Sequence, residues 1–426
     1  RRPLFRALWI ASLTSSIGTW MHELGAAWLM TSLTLSPVMV ALMQTAASLP
    51  IVLLALPAGA IADMVDRRRM LLFTQGWMLS SAAALGVLTA LGVTTPWLLL
   101  ILTFALGAGA AMNAPAWQTT TSEAVPRAEL PAAVVLTGLG LNLARAVGPA
   151  VGGVIVIATG AWAVFLLNAA SFLGVIIVLS RWRRTIQPKQ SPSRPVLNTI
   201  GEGIRYASQT PALRAVLVRT GVFVPFASAL WALLPLLARY ELELNCFGYG
   251  TLFGFLGVGS VIGAIFLPKL QSHFSTDTLV AAATIMFAAA IAALAEVRHF
   301  GLLCLILMVA GMAWITLMTS FNVATQTAVP SWIRARALGL YLLIFHGGMA
   351  AGSVLWGAVT QHAGVAVALF GAAGGLLVSL VAIAWYPFKE IKQSDSISST
   401  YRDRAAERTP LVSTSAGPTL VTSNYR

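Results

Sequence analysis

Two side chains of opposite charge stand inside long apolar stretches, Glu23 and Arg145. A charge in hydrocarbon costs roughly 2.5 kcal/mol or more even on the gentlest scales, so such groups face a cavity, find a partner, or both. Glu23 lies roughly fifteen residues into the first apolar segment and Arg145 roughly fourteen into the fifth, and at 1.5 Å of rise per residue the two reach nearly equal depth. Facing each other across a cavity they compensate one another, with Glu23 a carboxylate able to take up and release a proton. A second reading keeps Glu23 near enough to the outer surface to be solvated. His22 beside it points to another helix face and is expected to satisfy a local polar contact, and Arg219, at the start of the seventh segment, is expected to reach out to water as an anchor. Asn142 and His346, 204 residues apart, are candidates for the cavity wall.

Two further strings combine small and charged residues. In GAIADMVDRRR, Gly59 lets a neighbouring helix approach, Asp63 accepts hydrogen bonds at a helix end, and Asp66 with Arg67 forms a charge cluster that holds one conformation and must rearrange in another. The plainer reading of its three arginines is a topology anchor. In NLARAVGPAVGG, Gly148, Gly152 and Gly153 strip side chains from a helix face, while Pro149 removes one backbone donor and favours a bend. The plainer reading there is a packing seam without directional meaning.

The elements that carry these residues are membrane spans. Only 10% of the 426 residues are charged and 58% are hydrophobic, with a mean hydropathy of +0.81. The runs from Met70 to Ser122 and from Ala337 to Phe388 contain no Asp, Glu, Lys or Arg. Segments of about twenty residues suffice to cross a bilayer, and the chain divides into twelve of them. The fold class expected is therefore all-α integral membrane, twelve transmembrane helices in two pseudo-symmetric six-helix bundles, at residues 1–180 and 213–386. A basic, proline-containing linker occupies 181–212, and the polar tail 387–426 is expected to be disordered. GAI at Gly59 recurs at Gly263, Val125 and Pro126 recur as Val329 and Pro330, and Gly148 and Gly153 recur as Gly352 and Gly357, always at a displacement of 204 residues. Constant displacement means duplication, and duplicated bundles suit alternating access to a site between them. Lys and Arg collect in the joints on the side of Arg67 to Arg69, which places both termini in the cytoplasm. The net charge of +13 is divided among those joints rather than gathered for nucleic acid. Cys246 and Cys304 read as buried thiols, no metal-binding spacing exists, and no phosphate-binding loop is present, so neither catalysis nor ATP hydrolysis is assigned and no cofactor is expected.

The spans, the linker, the GAIADMVDRRR loop and the segment-five motif together resemble the major facilitator superfamily. The loop is similar to its gate signature G-x-x-x-D-x-x-G-R-[RK], with Asp66 in place of the second glycine, and NLARAVGPAVGG is similar to the motif of its antiporters. Those strings, with NAPAWQTTTSEAVPRAELPAA and FGYGTLFGFLGVGSVIGAIFLPKL, resemble the branch that contains bacterial enterobactin exporters and macrolide-efflux-type proteins, over residues 4–386. The resemblance implies a bacterial inner-membrane exporter, proton-coupled, for an amphipathic small molecule such as a siderophore, macrolide or other drug. Its partners would be that substrate, protons and membrane lipids, with a monomer sufficient. The gate would be asymmetric, because Leu267 stands where the repeat would place a second Asp63. A proton-coupled importer and a non-transport receptor or scaffold are the alternatives.

Overall fold

A computed structural model describes residues 3–123, 129–181, 209–330 and 333–386. Val125 with Pro126, most of the linker and the tail 387–426 lie outside the described residues. In chain order the helices are α1 (Pro3–Leu33), α2 (Pro37–Met64), α3 (Arg67–Ala90), α4 (Pro96–Glu123), α5 (Leu130–Thr159), α6 (Ala161–Arg181), α7 (Pro211–Ala227), α8 (Ala229–Leu236), α9 (Cys246–Gln271), α10 (Thr276–Glu296), α11 (Phe300–Thr327), α12 (Arg334–Ala363) and α13 (Val365–Trp385). Their starts are chemically marked. Proline opens α2, α4 and α7, where its missing N–H is not needed. Side-chain caps open others: Asp66 accepts from the Arg69 N–H at 3.0 Å, Asn245 from Gly248 at 2.9 Å and Ser275 from Thr278 at 3.2 Å. α5 and α12 both end on a glycine with positive φ, Gly160 at 100° and Gly364 at 88°, again 204 residues apart.

Among the described residues, eleven spans are long and apolar enough to cross a membrane, α7 and α8 with the following turn counting as one. α1 is the remaining crossing. Its 31 residues fall short in hydropathy because Ser12, Ser16, Thr19 and Glu23 recur at helical spacing along it. The seventh crossing, expected to be continuous, is broken. Pro225 and Pro235 each remove a ladder donor, Ser228 Oγ donates to the Pro225 carbonyl at 2.8 Å, and the chain leaves α8 through a π turn at Leu237–Glu241.

The packing carries the duplication into three dimensions. In the first half α2 packs on α4, α3 on α4 and α6, and α1 on α5 and α6; in the second α9 packs on α11, α10 on α11 and α13, and α7 on α12 and α13. The halves meet through α2 with α12 and through α5 with α9, which the repeat makes equivalent. Glycines set these distances. A Cβ on Gly148 would sit 2.6 Å from Trp20 Cβ of α1, and one on Gly153 would sit 2.8 Å from the Cys246 carbonyl of α9. Their counterparts repeat the division, Gly352 against Pro225 of α7 and Gly357 against Ala41 of α2. The segment-five motif is therefore a two-sided seam, one edge within its half and one between halves.

At the end where α1, α3 and α7 begin, Arg219 does not reach out to water as expected. It is 2% exposed, pairs with Asp277 of α10 at 2.7 Å and donates to the Ile383 carbonyl of α13 at 3.1 Å. Three helices converge there, and the guanidinium serves better as their tie than as a free end. Cys246 and Cys304 are buried and free, as the sequence indicates.

A seam glycine and a glycine facing open space should respond in opposite ways to alanine. Gly153→Ala drives a methyl into the α9 backbone and should cost about 1–3 kcal/mol, lowering the midpoint of thermal unfolding in detergent. Gly374→Ala, with nothing within 4 Å of the new methyl, should raise it slightly, by about 0.5–1 kcal/mol of helix propensity.

Candidate functional site

Two chambers lie end to end inside the first half. The lower, of about 450 Å³, is nearer the end where α1 begins and is bounded by α1, α3, α4, α5 and α6. The upper, of about 210 Å³, continues along α1, α2 and α4 and is closed from the second half by Trp231 and Pro235 of α8 and Tyr249 and Phe253 of α9. Their linings are alike in overall character and differ in which polar residues they present. Both are mainly apolar; the polar side chains include Ser12, Ser16, Gln75, Asn113, Gln118 and Thr137 in the lower chamber and His22, Gln44 and Thr103 in the upper.

Thr19, Trp20 and Glu23 belong to both walls, so Glu23 stands at the waist. It is exposed, and the surface it is exposed to is the interior. No other charged side chain lines either chamber among the described residues. Arg145 interacts with Glu23 through space, without an ion pair within 4.0 Å. Its guanidinium lies over the Trp20 ring, 5.3 Å from the centroid, a geometry in which an aromatic face carries part of the compensation for a buried cation. His22 lines the upper chamber with its ring 4.7 Å from Phe165, and neither ring nitrogen has a hydrogen-bond partner. The local polar contact expected of it is not made. Asn142 and His346 line neither chamber; His346 packs its ring edge against Phe345 at 5.0 Å with Nδ1 unpartnered.

The motif residues divide by position. Gly148, Gly152 and Gly153 lie in the seam, Gly152 against Met21 of α1, and Pro149 reaches the upper chamber wall. Asp66 caps α3. Arg68 donates to the Leu179 carbonyl at 2.9 Å and to that of Ser180, holding the last turn of α6, so it ties helices as well as marking a side. Gly59 and Asp63 fall within α2, with their side chains outside the described ones. Leu267, where a second Asp63 would stand, is buried.

A contact that the sequence reading missed closes the opposite end. Arg239, on the π turn, donates to Thr31 Oγ1 at 3.2 Å and Ser32 Oγ at 2.7 Å of α1, and lies 5.0 Å over Trp28. Tyr240 OH donates to the Thr31 carbonyl at 2.7 Å. This cluster joins the end of α1 to the broken seventh span, one half to the other. The proline pair in that span was its signal, since a break in a bilayer helix is tolerated only where protein or water satisfies the backbone.

The whole chain, residues 1–426, matches the family described as transmembrane secretion effector. The chain belongs to that family. It is thereby a major facilitator superfamily membrane transporter, a protein that moves small molecules across a membrane rather than an enzyme. It is 26% identical over 381 residues to the multidrug efflux pump Tap of Mycolicibacterium fortuitum, covering 86% of this chain and 91% of that protein. Over 393 residues it is 25% identical to the enterobactin exporter EntS of Salmonella typhimurium, covering 89% and 92%. Bacterial relatives and the many apolar helices make it a multi-pass protein of the bacterial inner membrane. The fold superposes on the nucleoside transporter NupG with a TM-score of 0.73 at 15% identity, over 90% of this chain and all of that one. A POT family transporter gives 0.74 at 13%, over 91% and 96%.

The closed end supplies a prediction. Tyr240→Phe removes the Tyr240 hydrogen bonds to the end of α1 and should weaken the contact by about 1 kcal/mol. Nitroxide labels at Leu35 and Glu243, measured by pulsed dipolar spectroscopy, should then report roughly fivefold more of the separated population.

Proposed function

We propose that the protein exports an amphipathic small molecule, of the kind of a siderophore, macrolide or other drug, from the cytoplasm by proton antiport. The observation that carries this reading is the waist carboxylate: among the described residues, Glu23 is the one charged side chain lining the two chambers. An acid so placed must be protonated or matched by a cation for its region to tolerate a low dielectric. A group that alternates between those states links proton and substrate. Arg145, held on Trp20 but interacting with Glu23, biases that exchange. The basic joints orient both termini to the cytoplasm, so the lower chamber is the cytoplasmic entrance and the Arg239 cluster bars the outer exit. Rocking about the seam would break that cluster while the Asp63 to Arg67 loop closes the entrance. The roles of Tap and EntS, efflux and export, favour this direction over import. Residues 1–180 and 213–386 would be the moving bodies, joined by the 181–212 linker, and a single chain supplies both.

The test begins with the compounds retained by cells lacking the protein and lost by cells that have it, compared before and after the proton gradient is collapsed. The compound so found is then followed in proteoliposomes under an imposed pH gradient. Glu23→Gln should abolish pH-driven accumulation while leaving substrate exchange without a gradient. Unchanged pH-driven transport in that variant would remove Glu23 from coupling, and accumulation in the direction of import would reverse the assignment.

A further inference from the structure

Trp20 is held from three directions. Its ring carries the Arg145 guanidinium on one face, 5.3 Å from the centroid, and meets Phe253 of α9 at 6.1 Å and 48°. Its Cβ is fixed against α5, where Gly148 leaves the room that a second Cβ, 2.6 Å away, would take. A side chain packed so closely has little freedom to turn aside.

The register of α1 against α5 shows what this ring separates. Gly140 lies against Trp9 and Leu13, Gly148 against Ile17 and Trp20, and Gly152 against Met21, so the two helices run side by side in the same direction. That register sets the Cα of Arg145 about two turns of α1 nearer its start than Glu23, rather than level with it as counting along the two segments suggests. Trp20 occupies the turn between them. Helix side chains lean toward their own N-terminus, which directs Glu23 back along α1 toward the guanidinium. With the indole in the interval, the two charges interact through space and form no ion pair.

We infer that Trp20 is a positioning residue: its ring keeps the Arg145 guanidinium out of reach of Glu23, and Phe253 of the second half decides whether the ring stays there. In the arrangement seen here the arginine is parked on the indole. A slide of α9 along the seam withdraws the Phe253 support, frees the ring and releases the guanidinium to the carboxylate. The packing of the halves is thereby converted into the presence or absence of a cation beside Glu23. This deepens the proton-coupling reading and rests on it for its consequence in transport.

The test reads Glu23 directly and needs no substrate. Dicyclohexylcarbodiimide modifies a protonated carboxyl in an apolar setting and spares one held in an ion pair. Mass spectrometry of the peptide containing Glu23 follows the rate in the full chain, in nanodiscs at neutral pH. Trp20→Leu should slow the modification about tenfold, because an opposite charge at contact favours the carboxylate form. Trp20→Phe keeps an aromatic face for the guanidinium and should stay within about twofold of the unaltered protein. Phe253→Ala removes one aromatic contact and should slow the modification about threefold. Adding Arg145→Met to Trp20→Leu should restore the rate of Arg145→Met alone, a rescue that a collapsed wall would not give. A loosened wall would speed entry of the reagent, the opposite sign. An unmodified Glu23 in the unaltered protein, a rate unchanged or raised by Trp20→Leu, or slowing that persists with Arg145→Met would overturn the inference. Modification as expected, with pH-driven transport unchanged in Glu23→Gln, would instead uphold the role of Trp20 and sink the proton-coupling reading.

Discussion

The structure depends on helices approaching to backbone distance where its halves meet. Lipid tails are as apolar as leucine, so no hydrophobic force drives one span against another, and association rests on close van der Waals packing. Gly153 of α5 meets Cys246 and Phe247 of α9, and Gly250 and Gly257 of α9 return the contact to Pro149 and Ala146. Gly357 of α12 makes the equivalent approach to Val38 and Ala41 of α2. Such surfaces are smooth and uncharged. They hold two bodies together firmly without interlocking long side chains, which suits a protein whose halves must shift against one another.

A duplicated scaffold has been filled in two different ways. In the second half Phe223, Phe287, Trp314 and Phe321 are buried together, with Trp314 ring to ring with Trp231 at 4.2 Å, and they occupy the middle of the bundle. At the corresponding depth the first half puts serines, threonines and Glu23 of α1, beside the two chambers. Architecture is therefore symmetric while chemistry is not, and the second half contributes to the passage mainly as an aromatic wall.

That wall is part of a longer series. Arg239 lies over Trp28, which stacks on Tyr249 at 5.8 Å; Tyr249 meets Phe253 edge-on at 6.0 Å, Phe253 meets Trp20 at 6.1 Å, and Arg145 lies over Trp20. The ladder crosses from α1 to α9 and back, running from the closed end to the waist. Two cations inside an apolar protein are thus accommodated on aromatic faces, which leaves Glu23 without a direct partner. Trp20, Tyr249 and Phe253 also line the upper chamber, and Tyr249 stacks on Trp28 of the closed end, so the chamber wall and that end are joined through one ring pair.

The sequence by itself determined the class and the repeat. Long charge-free runs admit only spanning helices, because an unsatisfied backbone or stray charge in hydrocarbon is too costly. The constant spacing of Gly148 and Gly352 and of Gly153 and Gly357 reflects positions where only a missing side chain fits. Glu23 and Arg145 were legible as exceptions to that rule. What only the tertiary structure decided was what each polar group meets. Helix rotation sent Arg145 onto Trp20, Arg219 to Asp277 and His22 toward Phe165, and it joined Arg239 to the end of α1. Those partners lie on helices far apart in the chain, where local spacing carries no information about which face turns inward.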